Sequence, residues 1–223
     1  CFVTAKISGL ISTMKTRSVT ICTVVTANYA HFALALGRSI RRHQPDANFV
    51  VCIVDRNEDL ETLTDRNTSF IYADELGLED FQRFCFQYNA FELSCALKPK
   101  ILEVCLERFD SETVIYLDAD MQLFRNLNEL LTIDKPFSVA LTPHLVSPLP
   151  DDERLPNHRS FLRSGTYNAG FICVNRCQDG FAFLHWWQNL MEHDCIVQMA
   201  DGYFVDQRPL DLVPGLFESV HIH

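Results

Sequence analysis

The chain has 223 residues, 48% of them hydrophobic and 22% charged, with a formal net charge of −10. That length suits one α/β domain with a large core, and the composition is that of a globular protein. The acidic balance argues against a nucleic-acid binder, which would show a basic face, and no run of about 18 apolar residues exists to form a membrane-spanning helix.

The negative charge does not exclude an anionic small ligand neutralised by a metal or by local cations. Nine cysteines are present, none in a C-x-x-C pair, and most lie inside apolar runs such as Ile21-Cys-Thr-Val-Val and Val51-Cys-Ile-Val. They read as buried, reduced thiols of a cytoplasmic protein rather than a disulfide or zinc framework. Residues 1–13 lack a signal-peptide layout. The expected organisation is an N-terminal extension over 1–18, disordered in part, with Met14 as a plausible start, followed by one domain over 19–223.

Val19 to Val25 reads as a first buried strand. Asn28 is placed to cap a helix from Tyr29 to His43, with Phe32, Ala33, Leu36 and Ile40 at helical spacing. Gln44-Pro45-Asp46 ends it, and Phe49 to Val54 is a second buried strand closing in Asp55. This strand–helix–strand order predicts a parallel pair. Residues 57–67 read as a short helix and Phe70–Tyr72 as a brief strand. Glu79 to Ala90 reads as one helix and a second follows near Lys98-Pro99, carrying Ile101, Leu102, Cys105 and Leu106. Asn126 to Leu131 reads as a short helix and Phe137 to Leu141 as a strand.

Residues 143–165 hold four of the nine prolines and little periodicity, the pattern of a functional loop. Tyr167 to Asn175 reads as strand and Phe181 to Glu192 as helix, with Trp186 and Trp187 as core. Asp201 to Gln207 reads as loop, and Leu210 to Ile222 as extended chain.

The most informative stretch is Thr113-Val-Ile-Tyr-Leu-Asp118-Ala-Asp120. A continuous apolar run marks a strand buried on both faces. Two carboxylates one residue apart then stand at its carboxyl end, where open α/β sheets bind ligands. Residues i and i+2 of an extended chain point the same way, so Asp118 and Asp120 are placed to converge on one cation. Oxygen-only ligation suits Mg²⁺ or Mn²⁺. Neither a G-x-x-x-x-G-K-[ST] nor a G-x-G-x-x-G cradle is present. A phosphatase with an Asp-x-Asp nucleophile would usually carry it on the first strand, and here that strand has no acid.

Four segments together resemble the GT-A-fold nucleotide-sugar glycosyltransferases, in particular family 8-like enzymes of the glycogenin and bacterial galactosyltransferase type. They are Thr23 to Tyr29 with Leu36-Gly-Arg-Ser-Ile40; Leu97-Lys98-Pro99 with Tyr116-Leu-Asp118-Ala-Asp120; Asn168-Ala-Gly170 opening a strand that runs to Asn175; and Asp206-Gln207. The resemblance implies a single Rossmann-like GT-A domain, a mostly parallel sheet flanked by helices. It implies transfer of a hexose from a UDP-linked nucleotide-sugar, with retention, to an acceptor the sequence does not identify. The implied metal is Mn²⁺ (or Mg²⁺) on Asp118 and Asp120, bridging the donor diphosphate.

The implied donor site comprises Thr23, Thr26, Ala27, Asn28, Tyr29, Asp55, Lys98, Asp118, Ala119, Asn168, Ala169 and Gly170, with Asp206 and Gln207 beside the anomeric centre. Relatives add a third metal ligand, a histidine, and further chain on the acceptor side. Here either His221 or His223 takes that role, or the ligand lies outside this chain. Two other readings stay open: a nucleotidyl- or phosphoryl-transfer enzyme on a similar sheet, and a non-catalytic nucleotide-sugar-binding module.

Overall fold

A computed structural model describes residues 18–56, 68–133 and 136–223. The expected extension over 1–17 and the expected helix over 57–67 lie outside the described residues. Strands β1 (Val19–Val25) and β2 (Asn48–Ile53) flank helix α1 (Ala30–His43), and β1 pairs with β2 in parallel as the sequence predicts. β3 (Thr68–Tyr72) extends that side. The short helices α2 (Phe81–Phe86) and α3 (Ala90–Ala96) lead into α4 (Lys98–Arg108).

The acidic strand β4 (Thr113–Leu117) then runs parallel to β1. After α5 (Asn128–Leu131) come β5 (Val139–Pro143), α6 (His158–Ser164), β6 (Tyr167–Asn175) and α7 (Gln178–Met191). The two-residue strands β7 (Val197–Gln198) and β8 (Tyr203–Phe204) make a small separate ribbon. Helix α8 (Val213–Leu216) and strand β9 (Val220–Ile222) complete the described chain.

The main sheet has seven strands in the order β3-β2-β1-β4-β6-β5-β9, and only β6 runs against its neighbours. Strand alternation divides the core in two. Cys22, Val50, Val114 and Tyr116 face α4 and α7, while Ile21, Val51, Ile115 and Leu117 face α1. Tyr116 and Asp118 are two apart, so the carboxylate leaves β4 on the α4 side. The α4–α7 side is filled by wholly buried Ile101, Leu102, Leu106, Phe183 and Trp187.

Several elements differ from the sequence reading, each for a local reason. Asn28 does not cap α1. A 3-10 turn over Ala27–Tyr29 intervenes and Tyr29 stands at the N-cap, while Asn28 Oδ1 accepts a 2.6 Å bond from Thr26 Oγ1. The helix expected over 79–90 ends early, at Phe86, and a further helix, α3, starts at Ala90, where the Asn89 side chain caps it by accepting from the backbone N–H groups of Phe91 and Glu92, 3.0 Å each. Its capping-box partner is Glu92, a helix-start signal.

The 143–165 loop contains α6, capped by Asn157. The extended chain expected over 210–222 is instead a 3-10 turn at Arg208–Leu212 followed by α8, with β9 alone extended. Pro209 and Pro214 stand in the first turns of those two helical pieces, where the fixed φ of proline favours helix starts.

Candidate active site

At the carboxyl end of β1 and β4 the sheet opens into a cleft of about 520 Å³. One wall is Val24, Val25, Thr26, Asn28 and Tyr29; another is Ala90, Phe91, Ser94 and Cys95 of α3; the floor is Lys98, Tyr116, Asp118, Ala119 and Asp120. Both carboxylates of the Asp-Ala-Asp stretch therefore face one space. Asp120 is exposed and Asp118 partly so.

Lys98 organises the floor. It opens α4 and its residue is only 5% exposed. Nζ lies 3.1 Å from Asp118 Oδ1 and 2.9 Å from Asp206 Oδ2, donates to Ala169 O at 3.3 Å, and sits 4.7 Å from the Tyr116 ring centroid. Burial alone would drive the ammonium to shed its proton. Asp206, Tyr116 and Asp118 more than offset that and hold its pKa well above the ordinary lysine value. Lys98 is thus a fixed buried cation beneath the carboxylates.

Asp206 is not on the cleft wall. It is 1% exposed, and its backbone carbonyl accepts a 3.1 Å bond from Trp187 Nε1. Burial pushes its carboxyl above the usual range, with Lys98 pulling the other way. Gln207 is half-buried; its Nε2 donates to Ser164 O at 2.8 Å and its Oε1 lies 3.1 Å from His144 Nε2.

Asn168, Ala169 and Gly170 enter from β6. Gly170 O accepts from Asp118 N at 2.9 Å, and Gly170 N donates to Asn168 Oδ1 at 2.7 Å. Thr23 lies apart from the cleft, wholly buried in β1. Asp55 is not among the cleft-lining residues; its Oδ1 accepts from Ala27 N at 2.7 Å and so holds the turn that presents Asn28 and Tyr29. His221 and His223 sit on β9 and just beyond it. Their rings are 6.0 Å apart, with His221 beside Phe137 and His223 beside Phe171. His223 lines a second cleft with Leu117, Met121 and Phe124.

Among the described residues, no three His, Cys, Asp or Glu side chains gather as a metal-holding group. The two carboxylates nevertheless fit a hard divalent cation by chemistry. Both are oxygen donors lining one open cleft, the donor set such a cation takes.

Sequence reasoning missed the α3 wall and the roles of Tyr116, Trp187 and His144. The α3 wall had a readable signal in Asn89-Ala-Phe-Glu92. Trp187 and His144 act through contacts 19 and 63 residues away along the chain, which no local pattern encodes.

The model of glycosyl transferase family 8 matches residues 20–201. No curated protein sequence matches. Among solved structures, the chain is similar to the galactosyltransferase LgtC, in a complex with donor and acceptor sugar analogues. The identity is 20%, the TM-score 0.56, and the match covers 91% of this chain and 72% of that one. It is also similar to the mannosyltransferase Ktr4p of S. cerevisiae, at 10% identity, TM-score 0.55, and 93% and 68% coverage. The glycosyltransferase GlyE of Streptococcus pneumoniae TIGR4 matches at 14% identity, TM-score 0.53, and 93% and 45% coverage. At these identities the structural likenesses show a shared fold, and the family match covers most of the chain: it belongs to glycosyl transferase family 8 and is a glycosyltransferase of GT-A fold.

Proposed function

We propose that this chain transfers a hexose from a UDP-linked donor, with retention of anomeric configuration, in a reaction that depends on Mn²⁺ or Mg²⁺. The observation that carries the proposal is the buried Lys98 ammonium set beneath two cleft-facing carboxylates in a family 8 chain. A net charge of −10 would otherwise repel a nucleoside diphosphate; Lys98 offsets only one of the carboxylates around it, and a divalent cation in the cleft would supply the remaining positive charge.

Each residue has a part in this reading. Tyr29, half-exposed on the cleft wall beside Thr26 and Asn28, offers an aromatic face to the nucleoside. Asp118 and Asp120 would hold the metal, with His221 or His223 as the candidate third ligand. When bound, the metal stabilises the charge that develops on the leaving diphosphate. Lys98 keeps its charge through Asp206, so Asp206 enters the chemistry from behind, by fixing the ammonium. Asn168 and Gln207 meet sugar hydroxyls. Residues 19–223 act as one transferase domain. The buried thiols of Cys22, Cys52, Cys95, Cys105 and Cys195 fit a reducing cytoplasmic setting.

A thermal-shift panel tests the proposal, because a ligand that binds only the native state raises its melting temperature. UDP and UDP-sugars are expected to stabilise the protein with Mn²⁺ present and far less without it. Turnover of a nucleoside triphosphate with a sugar phosphate, and none of UDP-sugars, would overturn it in favour of nucleotidyl transfer.

A further inference from the structure

The Gln207 amide is held in one orientation. Its Nε2 donates to Ser164 O, and a backbone carbonyl only accepts. The NH₂ therefore faces Ser164 and Oε1 faces His144, 3.1 Å away. Oε1 is an acceptor, so His144 must carry a proton on Nε2. That proton is present in the Nε2–H tautomer and in the charged ring alike, so the contact does not depend on which of the two is populated.

His144 is itself fixed from two sides. Its ring lies 5.3 Å from that of Phe161 on α6, and its backbone N–H donates to Thr166 O at 2.9 Å, closing the neck of the 144–166 loop. Thr166 is tied down in turn, both N and Oγ1 donating to Asp211 Oδ1 at 2.7 Å. Gly165 takes a positive φ of +110°, and a Cβ there would lie 3.1 Å from Gln207 Cγ and from its carbonyl oxygen. The loop backbone thus runs directly against Gln207. His144 and Gln207 are both only half-buried, so this convergence of contacts does little for core packing. The amide keeps one N–H and one Oε1 lone pair unspent in these contacts.

We propose that His144 is a positioning residue for Gln207, and that the 144–166 loop serves to lock this amide for the sugar being transferred. The inference rests on the glycosyl-transfer reading above. A group held before the reaction needs no reorganisation during it, so the loss on releasing it falls on kcat rather than on donor binding.

The test is steady-state kinetics with a UDP-sugar and Mn²⁺ for wild type, His144→Phe and His144→Gln. Phe keeps the stack on Phe161 and removes the donor; Gln restores an N–H near the same point. His144→Phe is expected to lose about tenfold in kcat with donor KM within about twofold, and His144→Gln to recover most of it. An undiminished kcat in His144→Phe, or a rise in KM alone, overturns the clamp. If His144→Phe does not fold, Gly165→Ala reaches the same contact from the other side, with the same loss expected and unchanged kcat contradicting it. Nitrogen chemical shifts of His144 supply a readout without turnover: a proton on Nε2 is expected, and a neutral ring protonated only on Nδ1 overturns the clamp. Wild type that turns over no nucleotide-sugar would overturn the function reading itself, whereas wild-type turnover with an unaffected His144→Phe overturns the clamp alone.

Discussion

A Cβ placed on Gly170 would lie 2.4 Å from Asp118 Oδ2, so the carboxylate occupies the space that a side chain at 170 would need. The same Cβ would stand 2.8 Å from Asn168 Oδ1 and 2.9 Å from Met121 Cε. β6 is antiparallel to β4, with Phe171 opposite Leu117. The pairing carries Gly170 directly against the residue that follows β4.

Gly170→Ala must therefore displace Asp118 or Asn168. Overpacking of this kind costs about 1–3 kcal/mol, and here part of the relief comes from moving a proposed metal ligand. The expected outcome is a modest fall in melting temperature with a disproportionate loss of Mn²⁺-dependent turnover. Equal activity in the alanine variant would show that Asp118 has room to spare.

Removing Lys98 is a different kind of damage. Asp206 is 1% exposed and Lys98 is its charged neighbour at 2.9 Å. Lys98→Met leaves that carboxylate buried without its cation, which costs about 3–5 kcal/mol in comparable pairs. The double variant Lys98→Met/Asp206→Asn removes both charges and is expected to regain much of that stability while staying inactive. Urea unfolding of the three proteins checks this; a double variant no more stable than Lys98→Met would contradict the pairing.

The sequence disclosed one half of this site and concealed the other. Asp118 and Asp120 were legible because a buried strand ran straight into them, a local pattern with a structural meaning. Asp206 was named through the resemblance, but its burial and its pairing with Lys98 were not legible, since Trp187 and Lys98 reach it from α7 and α4. The parallel β1–β2 pair was readable from two apolar runs around an amphipathic helix. The early end of the 79–90 helix and the start of α3 were also signalled locally, by the Asn89–Glu92 capping box, which a reading of apolar periodicity alone passes over. Gln207 was named beside the anomeric centre, but the two partners that hold it, 43 and 63 residues away, leave no local trace.

Away from the cleft, Glu103 couples α4 to α7. Its carboxylate lies 2.6 Å from Lys100 Nζ and 2.7 Å from His185 Nε2. Burial pushes the carboxyl up, but Lys100 and then His185 outweigh it and leave the pKa below the usual range. A carboxylate whose folded pKa is depressed contributes stability above its unfolded value, about 4.3, and loses it as pH falls through the folded one. Glu103→Gln is therefore expected to be less stable than wild type at neutral pH, with the gap closing below about pH 4. Urea midpoints across that range check it, and a constant gap would contradict the pairing.

The most direct test of the account is turnover of UDP-sugars with and without Mn²⁺ by wild type and Asp120→Ala. Asp120 is exposed on the cleft floor, so the substitution should leave folding and melting temperature intact. The account predicts metal-dependent turnover in wild type and a loss of about hundredfold or more in Asp120→Ala. Turnover undiminished in that variant, or indifferent to metal in wild type, would contradict it.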